Sequence, residues 1–192
     1  MAISRKFDPK EVEKLKKPER LQRENPEVVW ENLGLKKPSC VVDVGCGVGF
    51  SAIPFAKKMP SGTVYACDIS TEMLEYLKTE LKNANIINVS PVLMEEVKIP
   101  LPDGIADAVL MQNIHHELHH EVASLNECRR LLKPGGRIAV IDWKKKPMEF
   151  GPPQELRVSA KKIGSDLREA GFVQITAHEI LLYHSFVLAQ KP

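Results

Sequence analysis

The sequence predicts an α/β domain: a mainly parallel sheet covered by helices and finished by an antiparallel hairpin. Three observations carry this. From Ser39 onward, short β-branched runs alternate with longer segments of helical periodicity, each bounded by Gly, Pro, Asn or Asp, which is the pattern of βαβ units. The last two β-rich runs, 173–180 and 183–190, stand only two or three residues apart, a connection that joins antiparallel neighbours and no others. Finally, a chain of 192 residues, 43% of them hydrophobic, buries about 70% of the surface its unfolded form exposes, enough for a layered core without disulfide staples or a structural metal.

Residues 1–38 are charge-rich and carry Pro9, Pro18 and Pro26, which divide any helix there into short pieces. The apolar spacing of Val12, Leu15, Leu21, Val28, Val29, Trp30 and Leu33 lets such pieces lie on the main domain, residues 39–192. This appendage is expected to cover a pocket, with Phe7 and Trp30 on its wall. Strands are expected at 40–44, 63–68, 87–93, 106–112 and 137–142. Between the first two, 51–58 reads as a helix with Pro54 in its first turn. Next, Met73, Leu74, Leu77 and Leu81 form one apolar stripe, with charged residues outside it and Ser70 or Thr71 as the cap. Val122, Leu125, Leu131 and Leu132 continue a helical face that stops at the turn Lys133-Pro134-Gly135-Gly136. A last helix, about 159–170, ends at Gly171.

Charge excludes some partners. With 27 Lys+Arg against 25 Asp+Glu, the chain lacks the basic excess of a polyanion binder, so no nucleic acid is expected. It has no membrane-spanning apolar run, and residues 1–17 are charged throughout instead of carrying an apolar signal core. A cytoplasmic protein, monomer or homodimer, is therefore expected. Cys40, Cys46, Cys67 and Cys128 lack C-x-x-C spacing and read as reduced packing thiols.

The segment richest in chemistry is Val41-Val42-Asp43-Val44-Gly45-Cys46-Gly47-Val48-Gly49. A buried strand runs into three alternate glycines, which let the backbone approach a ligand with no Cβ in the way. Asp68 closes the next strand, placed to accept from the hydroxyls of a ribose, and both features fall at the carboxyl ends of neighbouring strands. A dinucleotide fingerprint, G-x-G-x-x-G, requires a glycine at position 50, which is Phe. Asp43 ahead of the loop either holds it or binds a cationic group.

These residues resemble motif I of the class I S-adenosylmethionine-dependent methyltransferases, an acid, one residue, then G-x-G-x-G, matched by Asp43 to Gly49. The likeness extends to the small-molecule branch that includes the ubiquinone/menaquinone-biosynthesis C-methyltransferases. It is carried further by Asp68-Ile69-Ser70 with Met73-Leu74, by Glu95-Glu96 before Pro100-Leu101-Pro102-Asp103, and by Leu131 to Gly136 leading into the fifth strand. The resemblance implies a three-layer Rossmann-like α/β/α fold, a seven-stranded sheet of order 3-2-1-4-5-7-6, and S-adenosyl-L-methionine as cofactor. It also implies roles. Gly45, Cys46, Gly47 and Gly49 pass under the methionine part, Asp68 takes the ribose, and Ile69 and Met94 enclose the adenine. Glu95 or Glu96 accepts from the exocyclic amine, while Gln112 and Asn113 line the site near the methyl.

The run His115-His116-Glu117-Leu118-His119-His120 contains a literal H-E-x-x-H. On a helix, His116 and His120 share a face and suit zinc, with Glu117 as base; this makes a metal hydrolase the rival reading, although no third ligand stands at a zincin spacing. A third reading is a non-catalytic binder of the same cofactor. In the methyltransferase reading no metal is expected. His115 or His116 is then the candidate general base, or aligning the acceptor suffices without one. The chain has Asn113-Ile114-His115-His116 where many amino-methylating nucleic-acid enzymes carry Asn-Pro-Pro-Tyr, and it lacks the spaced cysteines of an arsenic acceptor site. A small-molecule acceptor is expected.

Overall fold

The structure, a computed structural model, describes residues 12, 15, 17, 19–37 and 39–192. Seven strands form one sheet: β1 Cys40–Val44, β2 Thr63–Asp68, β3 Val89–Leu93, β4 Ala106–Gln112, β5 Leu132–Trp143, β6 Val173–His178 and β7 His184–Gln190. Their order is β3-β2-β1-β4-β5-β7-β6. All neighbours are parallel except β5–β7 and β7–β6. The order reverses between β1 and β4, so a crevice opens beyond their carboxyl ends, the usual ligand position in open α/β sheets.

Because successive strand side chains point to opposite faces, β1 feeds two cores. Val42 and Val44 pack with Val109 and Val140 under α5 (Glu121–Leu131) and α6 (Ala160–Glu169). Val41 packs with Leu110 and Ile141 under α2 (Pro26–Leu33), α3 (Ala52–Lys58) and α4 (Thr71–Asn83). Three layers result. A short α1 (Glu19–Glu24) lies over the crevice end of the molecule, and one 3₁₀ turn, His115–Glu117, follows β4.

Caps fix the helix starts as the sequence suggests. Ser70 accepts from Met73 N at the head of α4, and Ser159 from Lys162 N at the head of α6. Asn25 caps α2, whose first residue is Pro26 and which ends at Gly34, φ +60°. Expectation and structure differ at three edges. β3 begins at Val89 instead of 87 because the Asn88 side chain donates to the carbonyls of Ala56, Met59 and Gly62, leaving Ile87 97% exposed. Pro91 is tolerated in β3 because this strand pairs only with β2. β5 starts at Leu132, five residues early: the Pro-Gly-Gly turn is absorbed as an irregularity, with Ala106 facing Leu132 and Ala108 facing Arg137. The hairpin loop is longer than expected, 179–183, because Leu181 turns into the core. All four cysteines are free and buried; burial pushes the Cys40 thiol up to about 11, which keeps it protonated and inert.

Candidate active site

The glycine loop hangs from the end of β2. Gly45 N and Cys46 N both donate to Cys67 O, at 2.8 and 3.0 Å. Asp68 then joins the two motifs: its Oδ2 accepts from Gly47 N at 2.8 Å and its Oδ1 from Ser70 N at 2.9 Å. Burial pushes the Asp68 carboxyl up, and the N–H groups of Ser70 and Gly47 oppose that shift. The glycines serve different ends. A Cβ on Gly45 would stand 2.4 Å from Ile114 Cγ2, whereas one on Gly47, φ +51°, would meet only Leu15 Cδ1 at 3.6 Å. Gly45 allows packing; Gly47 leaves its side of the loop open to the crevice.

That crevice holds a cavity of about 880 Å³, within the range of small-ligand sites. At one end it is lined by Ile69, Ser70, Met73, Met94 and Glu96, and in the middle by Gly45, Cys46, Gly47 and Asp68. The far end is made by Gln112, Asn113, His116, Glu117, Trp143 and the segment 150–153. The expected residues Asp43, Gly49, Glu95 and His115 are not on the lining. Asp43 sits behind the loop, where the Ala52 N–H faces it; burial, then the charge of Asp68, pushes its carboxyl up to about 7. Glu95 is exposed and pairs through its backbone with Lys98. Glu96 does line the cavity, and its Oε1 accepts from the backbone N–H of His119 and of His120, at 2.7 and 2.9 Å.

The histidines separate by environment. His115 is buried against α6, its Nε2 3.5 Å from Asp166 Oδ2, and burial holds its pKa down. His116 Nδ1 lies 2.7 Å from Asp142 Oδ1, and its backbone N donates to Asp142 Oδ2 at 2.9 Å. Asp142 is fully buried at the end of β5. Burial pulls the His116 pKa down, but the hydrogen bond and charge of Asp142 outweigh it and hold it above the ordinary value. With Nδ1 held, Nε2 is the other ring nitrogen, 3.8 Å from Glu117 Oε1, and both residues line the cavity.

The zinc reading fails on backbone geometry. His116 belongs to a 3₁₀ turn, Leu118 is extended (φ −69°, ψ 144°), and α5 begins only at Glu121, so His116 and His120 share no helical face. Among the described residues no group of three or more His, Cys, Asp or Glu is arranged to hold a metal ion.

Sequence reasoning missed the contribution of α1. Glu24 is 1% exposed and binds three partners: Arg20 Nε at 3.1 Å, Gln112 Nε2 at 2.9 Å and the Asn113 amide. Ser51 Oγ donates to Gln112 Oε1 at 2.7 Å, completing a polar chain from α3 to α1. Asn113, in the left-handed region at φ +60°, leaves its Oδ1 buried without a partner. Trp30, expected on the wall, packs edge-on against Phe55 instead, ring centroids 5.1 Å apart, and is absent from the lining; Phe7 lies outside the described residues. The aromatic wall is Trp143 and Phe150, centroids 6.0 Å apart.

The seat fits an adenosyl sulfonium with an amino-acid tail. It offers an open glycine face at Gly47, a carboxylate at Asp68, apolar surfaces at Ile69 and Met94, and an orphaned acceptor, Asn113 Oδ1, suited to an ammonium. Comparison with known proteins agrees. Residues 41–136, half of the chain, match a methyltransferase domain family. A crystal structure of a SAM dependent methyltransferase from Aquifex aeolicus is 38% identical, covers 97% of this chain and 100% of its own, and superposes with a TM-score of 0.91. The ubiquinone/menaquinone biosynthesis C-methyltransferase of Cupriavidus taiwanensis is 38% identical over 120 residues, 60% of this chain and 49% of that protein; the chain thus spans about half the length of the curated relatives it matches. The fold is also that of a Haemonchus contortus phosphoethanolamine N-methyltransferase solved with S-adenosyl-L-methionine: 14% identity, TM-score 0.74, covering 87% of this chain and 52% of that one. By motif, topology and likeness over its whole length, the chain belongs to the S-adenosylmethionine-dependent methyltransferases.

Proposed function

We propose that this chain methylates a small-molecule acceptor in the cavity between the glycine loop and the end of β5, with His116 as general base and Asp142 as its positioning residue. The observation that carries the reading is continuity: one cavity joins the Gly47–Asp68 seat to the His116–Asp142 pair. Asp68 holds the ribose, Ile69 and Met94 enclose the adenine, Met73 backs that end, and Glu96 borders the exocyclic amine. Gly45, Cys46 and Gly47 shape the loop around the methionine part, with Gly49 and Asp43 supporting it from behind. Asn113 Oδ1 accepts from the ammonium, and Gln112 fixes Asn113 through Glu24.

When bound, the cofactor supplies an electrophilic methyl whose departure leaves a neutral thioether. The acceptor's proton is for the chain to handle. His116 is placed to take it at Nε2, because Asp142 fixes the hydrogen on Nδ1 and stabilises the imidazolium that forms, a contribution of about 10² to 10⁴ in rate. Helix α1, within the N-terminal segment, covers the acceptor end, as Arg23 and Glu24 on the lining suggest. A cavity closed by α1 and by residues 150–153 suits a small molecule better than a nucleic acid. A cytoplasmic place is favoured by the lack, among the described residues, of any helix long and apolar enough to cross a membrane.

The test is calorimetric binding of S-adenosylmethionine to wild type, Asp68→Ala and Gly47→Val, followed by a metabolite screen for release of S-adenosylhomocysteine. Expected are a loss of at least tenfold in affinity in both variants with folding intact, and acceptor-dependent release by wild type. Equal affinity in all three proteins overturns the seat; binding with no release from any acceptor overturns the catalytic reading.

A further inference from the structure

The cavity contains two arginines from α1, and they face different ends. The Arg20 guanidinium lies over the Phe50 ring, 3.9 Å from its centroid, beside the glycine loop, and is paired with Glu24. Arg23 stands over the Phe150 ring, 4.9 Å from its centroid, at the end where Phe150 packs against Trp143. Among the described residues Arg23 has no carboxylate partner, and its Nε is buried with no hydrogen bond. A buried guanidinium N–H without an acceptor is costly, and a carboxylate or phosphate can satisfy it together with a neighbouring N–H through two parallel charge-assisted bonds.

The surface around it is aromatic and firmly held. Phe150 meets Trp143 and Tyr183 edge-on, and Gly151, φ +88°, lies so close that a Cβ there would stand 2.9 Å from the Trp143 ring. Arg157, 4% exposed, anchors this wall from behind by donating to the carbonyls of Lys146, Phe150 and Pro152 at 2.7, 3.0 and 2.8 Å. An aromatic wall with a cation over one of its rings, in the same cavity as the proposed base, selects one kind of molecule. We infer that the methyl acceptor carries an anionic group, carboxylate or phosphate, that docks on Arg23 while its apolar body lies against Phe150 and Trp143. The inference rests on the methyltransferase reading above and adds the chemical class of the acceptor.

The experiment uses protein saturated with S-adenosylhomocysteine and titrates benzoate, phenyl phosphate and benzamide into wild type, Arg23→Gln and Arg23→Lys. Wild type is expected to bind the two anions at least tenfold tighter than benzamide, R23Q to bind all three within twofold, and R23K to retain part of the preference. Affinity for S-adenosylhomocysteine stays within twofold throughout. The carboxylate and phosphate arms tell which anion the site prefers. No anion preference in wild type, or a preference that survives in R23Q, overturns the inference. So does a parallel tenfold loss of S-adenosylhomocysteine in R23Q, which would assign Arg23 to the cofactor. If R23Q fails to fold, R23K decides: an unchanged affinity for all three probes, with its geometry altered, overturns it as well. Wild type that binds no S-adenosylhomocysteine defeats the cofactor reading instead, and the same titration on free protein still reports on Arg23.

Discussion

Replacing Asp142 by Asn removes one charge and turns one of the two acceptor oxygens that orient His116 into a donor. The carboxylate accepts three N–H groups: His116 N on Oδ2, and His116 Nδ1 with Trp143 N on Oδ1, the last two both at 2.7 Å. An amide can serve them in two ways. With its oxygen toward Nδ1 and Trp143, its NH₂ faces the His116 N–H, and one buried donor is left unpaired. Flipped, the NH₂ donates to Nδ1, which forces the proton onto Nε2 and leaves Trp143 N–H facing a donor. In that form His116 cannot accept from a substrate.

The expected cost follows from burial, with Asp142 at 0% and the His116 side chain at 5% exposure. Below the ordinary imidazole pKa, His116 is charged and breaking the pair costs about 3–5 kcal/mol. At alkaline pH the imidazole is neutral, and the loss falls to roughly that of one charge-assisted hydrogen bond, about 1.5–3 kcal/mol. The sign is set by the raised folded pKa of His116: its stabilisation is fully present below the unfolded value and disappears as pH rises through the folded one. Urea unfolding at pH 5.5 and pH 8.5 measures both limits. An NMR titration of the imidazole reads the pKa directly, expected above about 6.5 in wild type and lower in D142N, where burial is opposed only by the charge of Glu117. With a working acceptor, kcat should fall about 10²-fold or more, while S-adenosylmethionine affinity stays within twofold. An unchanged His116 titration, or a stability loss independent of pH, refutes the pairing.

Asp43 gives an opposite experiment. Its carboxyl, pushed up to about 7 by burial and by Asp68, binds a proton more tightly folded than unfolded, so its contribution is full below about pH 4 and is lost as pH rises through 7. Asp43→Asn cannot ionise; its melting temperature relative to wild type should climb between pH 5 and 8, and parallel curves would contradict the assignment. Gly45→Ala places a Cβ 2.4 Å from Ile114 Cγ2 at φ +72°, whereas Gly104→Ala at φ +62° meets nothing within 4 Å. The first should lose roughly 2–4 kcal/mol in urea, backbone strain plus overpacking, and the second only about 1–2 kcal/mol of strain.

What was legible in the chain was what is local. The glycine loop and Asp68 lie on adjacent parallel strands, so the period-2 pattern and the turn residues place them together without any distant information. Asp142 closes a recognised strand, and its position at the carboxyl end is a usable signal, but its partner stands 26 residues earlier in a turn with no periodic signature. Glu24 was hidden by distance: its contact with Gln112 spans 88 residues, and an acid in a charge-rich segment reads as solvated. The helix on which the rival zinc reading depended is absent because the Glu96 carboxylate, more than twenty residues upstream, captures two backbone N–H groups and delays α5. Trp30 misled because an aromatic residue in a cover segment can face either layer, and Phe55 offered the better contact.

The two ends of the cavity are therefore built by different rules. The cofactor end is made from loops that the sheet itself positions, each held by backbone hydrogen bonds to the neighbouring strand. The acceptor end is assembled from α1, from the turn after β4 and from the segment after β5. These pieces meet through Glu24 and Asp142, two buried carboxylates that together accept seven hydrogen bonds from described residues. Charged groups with no exposure hold their partners in one arrangement, because any alternative leaves a buried charge unpaired. Side chains on the α1 segment and on residues 150–153 can change the acceptor surface without disturbing either the glycine loop or the sheet. In this chain that freedom has placed Arg23, which has no carboxylate partner among the described residues, over a ring of the aromatic wall, in the same cavity as the proposed base His116.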